Sequence, residues 1–486
     1  MDIGRRLLWL CLLLVPTWTS AQDLSIFRQE AYRHASLSVC VRSLDDGRTV
    51  AEYQSDKTLS PASVTKLITT AAALECLGPD SRFETALAYD GHIEGTVLRG
   101  NLWILAGGDP SLGSEYMSQP QQSFLQQWMA ALRQRGIRRI EGRVLLWSEL
   151  CDEEPLSPGW TWEDLGNYYA AGCYGVAVYD NQFRLALRSG RPGSRPEILE
   201  IIPELPLLSI DNRLTAGSRA DSAYFHGEPY RWQRLLTGSI PANRERFVIK
   251  GDIPDPEVCL VGLLEKEIRR QGIVIEGRSI SVEPYRERAG GVFRSGQGSL
   301  RLPENQILVR YYSEPLSEIV RAVNYHSLNM YTEYLARAVA RARGLSGPIS
   351  AAQALRSVTD FWQERGIDCS SWFLKDACGL APQTAFPLSS IVEILCYMSD
   401  SENSSFFARS LPRAGREGTV RSLGQRLPGE LRLKSGSRSG VRAWAGYYTV
   451  GGHRYALAYT LNYSKLSSSK VVDDLERFIL SISYLQ

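Results

Sequence analysis

Ser63 and Lys66 stand three residues apart in Pro61-Ala62-Ser63-Val64-Thr65-Lys66, a spacing that puts both side chains on one face of a helix. A serine hydroxyl is a poor nucleophile until a base takes its proton, and a lysine held in a dry site loses enough basicity to be that base. A helix N-terminus also favours negative charge developing beside it, which suits an oxyanion. Alone, the pair reads as no more than an N-cap followed by a surface lysine. Two more polar sets follow, Ser327-Leu328-Asn329 and Lys434-Ser435-Gly436-Ser437. Taken singly, Ser327 is a mid-helix or loop hydroxyl and Lys434 a solvated edge-strand charge. The three sets in this order read as one distributed site.

The elements that must position them are legible in the apolar periodicity. Leu67, Leu74 and Leu77 mark a buried helix after Ser63. Before it, Ser36 to Leu44 and Thr49 to Tyr53 form a hairpin about Asp45-Asp46-Gly47. Leu316 to Ala340 reads as a helix carrying Ser327 and Asn329, and a second helix, Ala351 to Arg365, ends at Gly366. The chain closes on a β-β-β-α pattern: Leu431 to Ser437 with Lys434 on it, Ala443 to Val450, Arg454 to Leu461, and the amphipathic helix Lys470 to Ile482. Antiparallel strands covered by the first and last helices give an α/β sandwich built from both ends of the chain.

A weak internal repeat lies between. Trp128 to Leu146 carries a helix, Arg135-Gly136-Ile137, then Ile140-Glu141-Gly142-Arg143 and an apolar strand; Leu260 to Val282 repeats this with Gln271-Gly272-Ile273 and Ile275-Glu276-Gly277-Arg278. Gly136 and Gly272 read as helix C-terminal glycines. Two such units far apart in sequence indicate one domain interrupted by an insertion, and the intervening Val178 to Gly251 reads as a small, mostly β module. The expected division is 22–88 and 300–486, 89–177 and 252–299, and 178–251, with a Gly/Arg/Ser linker at Ala289 to Leu302. Phe83 to Tyr89 and Leu98 to Leu105 read as strands, and Gly107-Gly108-Asp109-Pro110 as a tight turn, since no Walker lysine follows. The aromatic cluster Pro158 to Tyr169 reads either as packing over a core edge or as ligand contact.

Composition narrows the function classes. Net charge is +2 over 486 residues, and lysine and arginine gather into no basic stripe, so nucleic acid is not an expected partner. There are five histidines and no H-E-x-x-H, which disfavours a zinc peptidase; no metal and no cofactor is expected. Arg5-Arg6, the apolar run Leu7 to Val15 and Thr19-Ser20-Ala21 have the order of a secretory leader, 1–21. No later run is long enough to cross a membrane, so the product is expected to be exported to the periplasm or the extracytoplasmic wall space without a transmembrane anchor. Of nine cysteines, Cys11 lies in the leader. The spacings of the others define no disulfide framework, and they read mainly as buried free thiols.

The ordered motifs resemble those of the active-site serine penicillin-recognising enzymes, which include penicillin-binding proteins and class A β-lactamases. Roughly 260 residues between Lys66 and Ser327 narrow the resemblance to the D-alanyl-D-alanine carboxypeptidase/endopeptidase family, the low-molecular-mass class C penicillin-binding proteins of peptidase family S13. Matching stretches are Pro61 to Thr69, Gly107 to Pro110, Pro158 to Ala171, Asn324 to Leu335, Gly418-Thr419-Val420-Arg421 and Lys434 to Tyr447.

The resemblance implies a transpeptidase-like, β-lactamase-like domain with two nested inserted domains. It also implies a serine peptidase acting on peptidoglycan stem peptides and acylated by β-lactams. By the same likeness Ser63 attacks the penultimate D-alanine carbonyl, Lys66 is the base, Ser327 relays the proton and Asn329 orients substrate and Lys66. Backbone amides of Ser63 and Ser437 form the oxyanion hole, and Lys434, Ser435, Gly436 and Ser437 hold the terminal carboxylate. Asp164 and Tyr169 match by position the acidic and aromatic residues that, with a loop arginine, recognise the diamino-acid side chain in the family, and Trp160 and Tyr168 lie near them.

The chain departs from the family pattern at Ser435, where threonine is usual. It departs further at Asp376-Ala377-Cys378-Gly379-Leu380-Ala381-Pro382, where relatives show Asp-Gly-Ser-Gly-Leu-Ser-Arg. Pro382 cannot replace a guanidinium, and Cys378 reads as a small buried substitute for serine. That loop keeps open a catalytically weakened wall-binding or scaffolding protein, and the shared fold keeps open a β-lactamase or esterase.

Overall fold

The two ends of the chain meet in one sheet. The computed structural model describes residues 24–148, 150–151, 154–277 and 300–483; the expected leader, the strand ending at Val282 beyond Gly277, and most of the Ala289 to Leu302 linker lie outside them. Five antiparallel strands run in the order Glu430–Arg438, Val441–Val450, His453–Asn462, Ser36–Ser43, Thr49–Tyr53. The N-terminal hairpin adds to the C-terminal meander in unbroken register, from Ser36 opposite Asn462 to Ser43 opposite Tyr455.

Alternation along these strands sorts small from large side chains. Ala443, Ala445, Ala456, Ala458 and Cys40 face the helical layer, where short side chains let helices lie close. Val39, Val41, Trp444, Tyr448, Leu457 and Tyr459 fill the other face under the helix Ser468–Ile482. Helix Lys66–Leu77 is buried on every side from Lys66 to Leu74, so it lies within the helical layer, as an apolar-all-round helix must.

Two expectations are corrected. The helix read over Leu316 to Ala340 is two helices, Leu316–His326 and Asn329–Ala342, because Ser327 adopts a left-handed conformation at φ 59°, ψ 44°, which ends an α-helix. The strand read over Leu98 to Leu105 is likewise two, Val97–Arg99 and Leu102–Ala106, in different sheets. Gly100 makes the turn between them, where a Cβ would lie 2.2 Å from the Asp90 carbonyl oxygen.

The repeat units lie side by side. Helices Ser123–Gln134 and Pro256–Arg270 both end at a glycine of positive φ, +71° at Gly136 and +77° at Gly272. The amides of Ile137 and Ile273 reach back to the carbonyls of Leu132 and Ile268 at 3.1 and 3.2 Å, closing the same six-residue cap. The strands that follow, Arg139–Ile140 and Val274–Ile275, pair in parallel. From Gln182 to Asp252 the chain is strand and turn, in two small sheets. Strands Glu84–Tyr89 and Ile307–Tyr312 pair with each other and, through Leu102–Ala106, with Val144–Ser148, so residues near the expected boundaries at 88 and 300 share one sheet. Among the described residues no helix is long and apolar enough to cross a membrane.

Candidate active site

Ser63 sits in a single 3-10 turn, Ala62–Thr65, that runs directly into the helix starting at Lys66. The turn precedes the α-helix expected to hold it, because Ala62 takes a positive φ of 45°. Two glycines allow the crowding around this turn. A Cβ on Gly436 would lie 2.3 Å from the Pro61 carbonyl oxygen and 3.1 Å from the Ser63 nitrogen, and one on Gly379, φ +79°, would lie 2.0 Å from the Ala62 carbonyl oxygen.

Lys66 is fully buried. Its Nζ contacts Ser63 Oγ at 2.9 Å, Asn329 Oδ1 at 2.6 Å and the Cys378 carbonyl oxygen at 2.8 Å, one acceptor for each ammonium proton. Burial pushes the Lys66 pKa below the ordinary 10.5, against the opposing influence of the nearby carboxylates Asp376 and Glu333. Asn329 is held in turn, its Nδ2 donating to the Tyr169 carbonyl oxygen at 2.7 Å.

The left-handed break at Ser327 turns its hydroxyl to the opposite lysine: Lys434 Nζ donates to Ser327 Oγ at 3.0 Å and to the Ser435 carbonyl oxygen at 2.6 Å. Lys434 is buried, and burial, with the nearby Lys66 charge, holds its pKa well below 10.5. Ser435 Oγ lies 2.6 Å from Thr419 Oγ1, while Gly436 is buried against the nucleophile turn and Ser437 is exposed. The structure thus brings the candidates into two hydrogen-bonded sets, Ser63 with Lys66 and Asn329, and Lys434 with Ser327 and Ser435, which adjoin where Gly436 packs on the Ser63 turn.

The family described as D-Ala-D-Ala carboxypeptidase 3 (S13) matches residues 21–479. The chain belongs to this family. A D-alanyl-D-alanine carboxypeptidase DacB of Haemophilus influenzae is 23% identical over 460 residues, 92% of this chain and 89% of that one. A D-alanyl-D-alanine carboxypeptidase of Actinomadura sp. is 24% identical over 451 residues, 90% and 79% of the two chains. The crystal structure of penicillin binding protein 4 from H. influenzae has the same fold, with a TM-score of 0.77 at 20% identity over 94% of this chain and 98% of that one; its complex with a novel β-lactam gives 0.73. This S13 member is therefore a serine-type carboxypeptidase, a hydrolase, on the penicillin-binding α/β fold.

The altered loop of this S13 peptidase keeps its shape through one buried carboxylate. Asp376 accepts from the amides of Gly379, Leu380 and Ala381 at 3.1, 2.7 and 2.8 Å, and from Thr384 Oγ1 at 2.7 Å and Trp160 Nε1 at 3.0 Å. Cys378 is buried, donates its S–H to Asp376 at 3.2 Å, and has its pKa driven up by burial, so it is an inert thiol. The neighbouring Glu333 is also buried and accepts from Ser157 Oγ at 2.6 Å and the Ala377 amide at 2.9 Å. Glu333, Asp376 and Cys378 are close enough to share a metal ion, but their acceptors already hold protein donors.

Of the four residues expected at the side-chain pocket, Trp160 does reach this loop. Asp164 instead accepts from Thr161 Oγ1 within its own turn at 2.8 Å; Tyr169 lies beside it, and burial and then that carboxylate raise the Tyr169 pKa. Tyr168 packs edge-on to Tyr169 at 5.4 Å. Tyr168 and Tyr169 line a cavity of about 50 Å³ with Ser327 and Asn329. A groove of about 1160 Å³ elsewhere touches none of the catalytic candidates, so the chemistry and not the volume places the site.

The sequence reading assigned no role to Asp376, Glu333, Thr419 or Arg438, nor to the carbonyls of Cys378 and Tyr169. Thr419 had a signal, since Gly418 to Arg421 matches the family. The carbonyls had none, because any residue supplies one. Arg438 Nη2 donates to the Pro382 carbonyl oxygen at 3.2 Å, which brings a guanidinium from the strand to the position where the loop lacks one.

Proposed function

We propose that the chain is exported and cleaves the terminal D-Ala-D-Ala bond of peptidoglycan stem peptides through an acyl-enzyme on Ser63, with cross-links between stems as further substrates. The observation that carries the reading is the Lys66 ammonium, buried and shared between Ser63 and Asn329. In its neutral form the same contact reverses, with Ser63 donating to Nζ. Ser63 Oγ then bonds to the penultimate D-alanine carbonyl carbon, its proton passing to Lys66. The carbon–nitrogen bond to the last residue breaks, and the Ser327 hydroxyl relays a proton to the departing amine, taking one from the Lys434 ammonium that donates to it as it gives its own. Water hydrolyses the ester.

The backbone amides of Ser63 and Ser437 are proposed to hold the oxyanion, an assignment supported by the approach of Gly436 to the Ser63 nitrogen. Lys434, Ser435 and Ser437 receive the substrate carboxylate. A β-lactam opens by the same attack, but its amine stays tethered, which delays water. The β-lactam complex of the H. influenzae protein supports β-lactam binding by this chain. The same proposal keeps the division into a catalytic unit of both chain ends, 22–88 and 300–486, an inserted unit, 89–177 and 252–299, and a nested unit, 178–251.

Fluorescent penicillin is expected to attach to the wild type and not to Ser63→Ala, and pentapeptide muropeptides to lose D-alanine only with the wild type. Attachment that survives Ser63→Ala refutes the assignment, and attachment without D-alanine release leaves a penicillin binder.

A further inference from the structure

Cys151 and Cys173 have their sulfurs 3.1 Å apart, both as thiols and both at most 1% exposed. Among the described residues this is the one pair of cysteine sulfurs in hydrogen-bond contact. They stand at the neck of a 22-residue span that carries three contacts to the site: Ser157 on Glu333, Trp160 on Asp376, and the Tyr169 carbonyl under Asn329. The main chain pinches at the same place. The Cys173 amide donates to the Pro155 carbonyl at 2.8 Å, and the amide of Ile349 to the Leu150 carbonyl at 3.0 Å, beside the bridge of Cys151 to Ile349.

We propose that Cys151 and Cys173 close to a disulfide as the chain folds outside the cytoplasm, stapling the neck of the span that seats Asn329. The inference rests on the proposed export, since a disulfide persists only in an oxidising compartment. The sulfurs need to approach by about 1 Å to reach a bond of ~2.05 Å. The oxidant is a disulfide donor of the thiol-exchange class. Two S–H bonds break, one S–S bond forms, and two electrons and two protons reduce the donor to its dithiol. Exchange has to occur before the span settles, because the folded chain shields both sulfurs; for the same reason the finished bond is shielded from reductants. It is a permanent staple and not a switch. Burial also raises the Cys173 pKa, which leaves a thiol there slow to react once buried.

The test uses full-length protein secreted through its own leader and purified without reductant. After denaturation, six of the eight cysteines beyond position 21 are expected to take up maleimide, and a non-reduced digest to contain the Cys151 and Cys173 peptides joined. Eight reactive thiols, or either cysteine joined elsewhere, overturns the proposal. Intact mass reports leader removal in the same sample, so failed export is told apart from an unlinked pair; if the leader is retained, refolding with oxidised glutathione decides by the same thiol count. For the staple's role, protein folded in a reducing cytoplasm without the leader is compared with the secreted form. The secreted form is expected to melt about 5 °C higher and to be acylated by penicillin several-fold faster, and a Cys151→Ser/Cys173→Ser variant to behave as the reduced form in both compartments. Equal melting and equal acylation of the two forms overturns that role.

Discussion

The nucleophile centre and the wall facing it are built from different atoms. Around Ser63 the contacts run from side chain to side chain: Lys66 to Ser63 and Asn329, Lys434 to Ser327, Ser435 to Thr419. On the wall formed by residues 158–169 and 376–382, the atoms that reach the centre are main-chain carbonyls, Cys378 to Lys66 and Tyr169 to Asn329. A centre of side chains fixes residue type. A wall of carbonyls fixes only the path of the chain, which here depends on Asp376, Gly379 and close packing. The loop can therefore vary in residue type as long as its path is kept, while the motif positions cannot.

The contrast breaks first at the nucleophile. Ser63→Ala removes the attacking atom and is expected to lower D-alanine release by at least ~10⁴-fold, measured as kcat/KM on a pentapeptide, with the fold unchanged by circular dichroism. Residual activity near wild type would mean that the side-chain centre is not the engine. Gly379→Ala tests the wall. Its Cβ would fall 2.0 Å from the Ala62 carbonyl oxygen at a φ of +79°, so the nucleophile turn has to move. A misplacement near 1 Å is expected to cost about 100-fold in acylation rate, read by stopped-flow with a chromogenic β-lactam. A value within twofold of wild type would show that the loop path is not what seats Ser63.

How much was legible follows the same line. The hairpin Ser36–Ser43 and Thr49–Tyr53, the repeat with its capping glycines, and the motif residues were readable because alternation, glycine position and side-chain chemistry are written in residue types. The break at Ser327 was not, since a serine in left-handed conformation has no local signature and its neighbours continue a helical pattern. Nor were the Cys378 and Tyr169 carbonyls. Pro382 was visible as a residue without a guanidinium; the contact of Arg438 with its carbonyl was not, because the strand and the loop meet only in the fold.

Proton dependence separates the two lysines. Burial lowers both pKa values from 10.5, so a given pH leaves more of each neutral than an ordinary lysine. If Lys66 is the base, acylation is slow at acid pH and rises by up to about tenfold per pH unit, with a midpoint below 10.5. If Lys434 holds the substrate carboxylate, its own deprotonation raises KM on the alkaline side. A kcat that falls with rising pH across the neutral range would reverse the roles.

Arg438 then sharpens the wall. Its half-buried guanidinium lies at Pro382, where Nη2 donates to the carbonyl oxygen, and the same cation is suited to pair with an anionic group of the stem peptide. Arg438→Ala is expected to raise KM about tenfold, or ~1.4 kcal/mol, for stem peptides bearing a free side-chain carboxylate, with kcat little changed. Equal KM for amidated and free-acid peptides in both proteins would remove Arg438 from recognition.

The smallest effect belongs to the most conspicuous departure. Cys378 offers Lys66 a carbonyl and offers Asp376 a weak S–H donor at 3.2 Å. Cys378→Ser keeps the carbonyl and exchanges one small donor for a better one. Acylation is expected to stay within about twofold, and stability within about 1 kcal/mol, by chemical denaturation. A large loss would mean that the sulfur itself packs the loop against Lys66, and that the wall, like the centre, specifies its side chains.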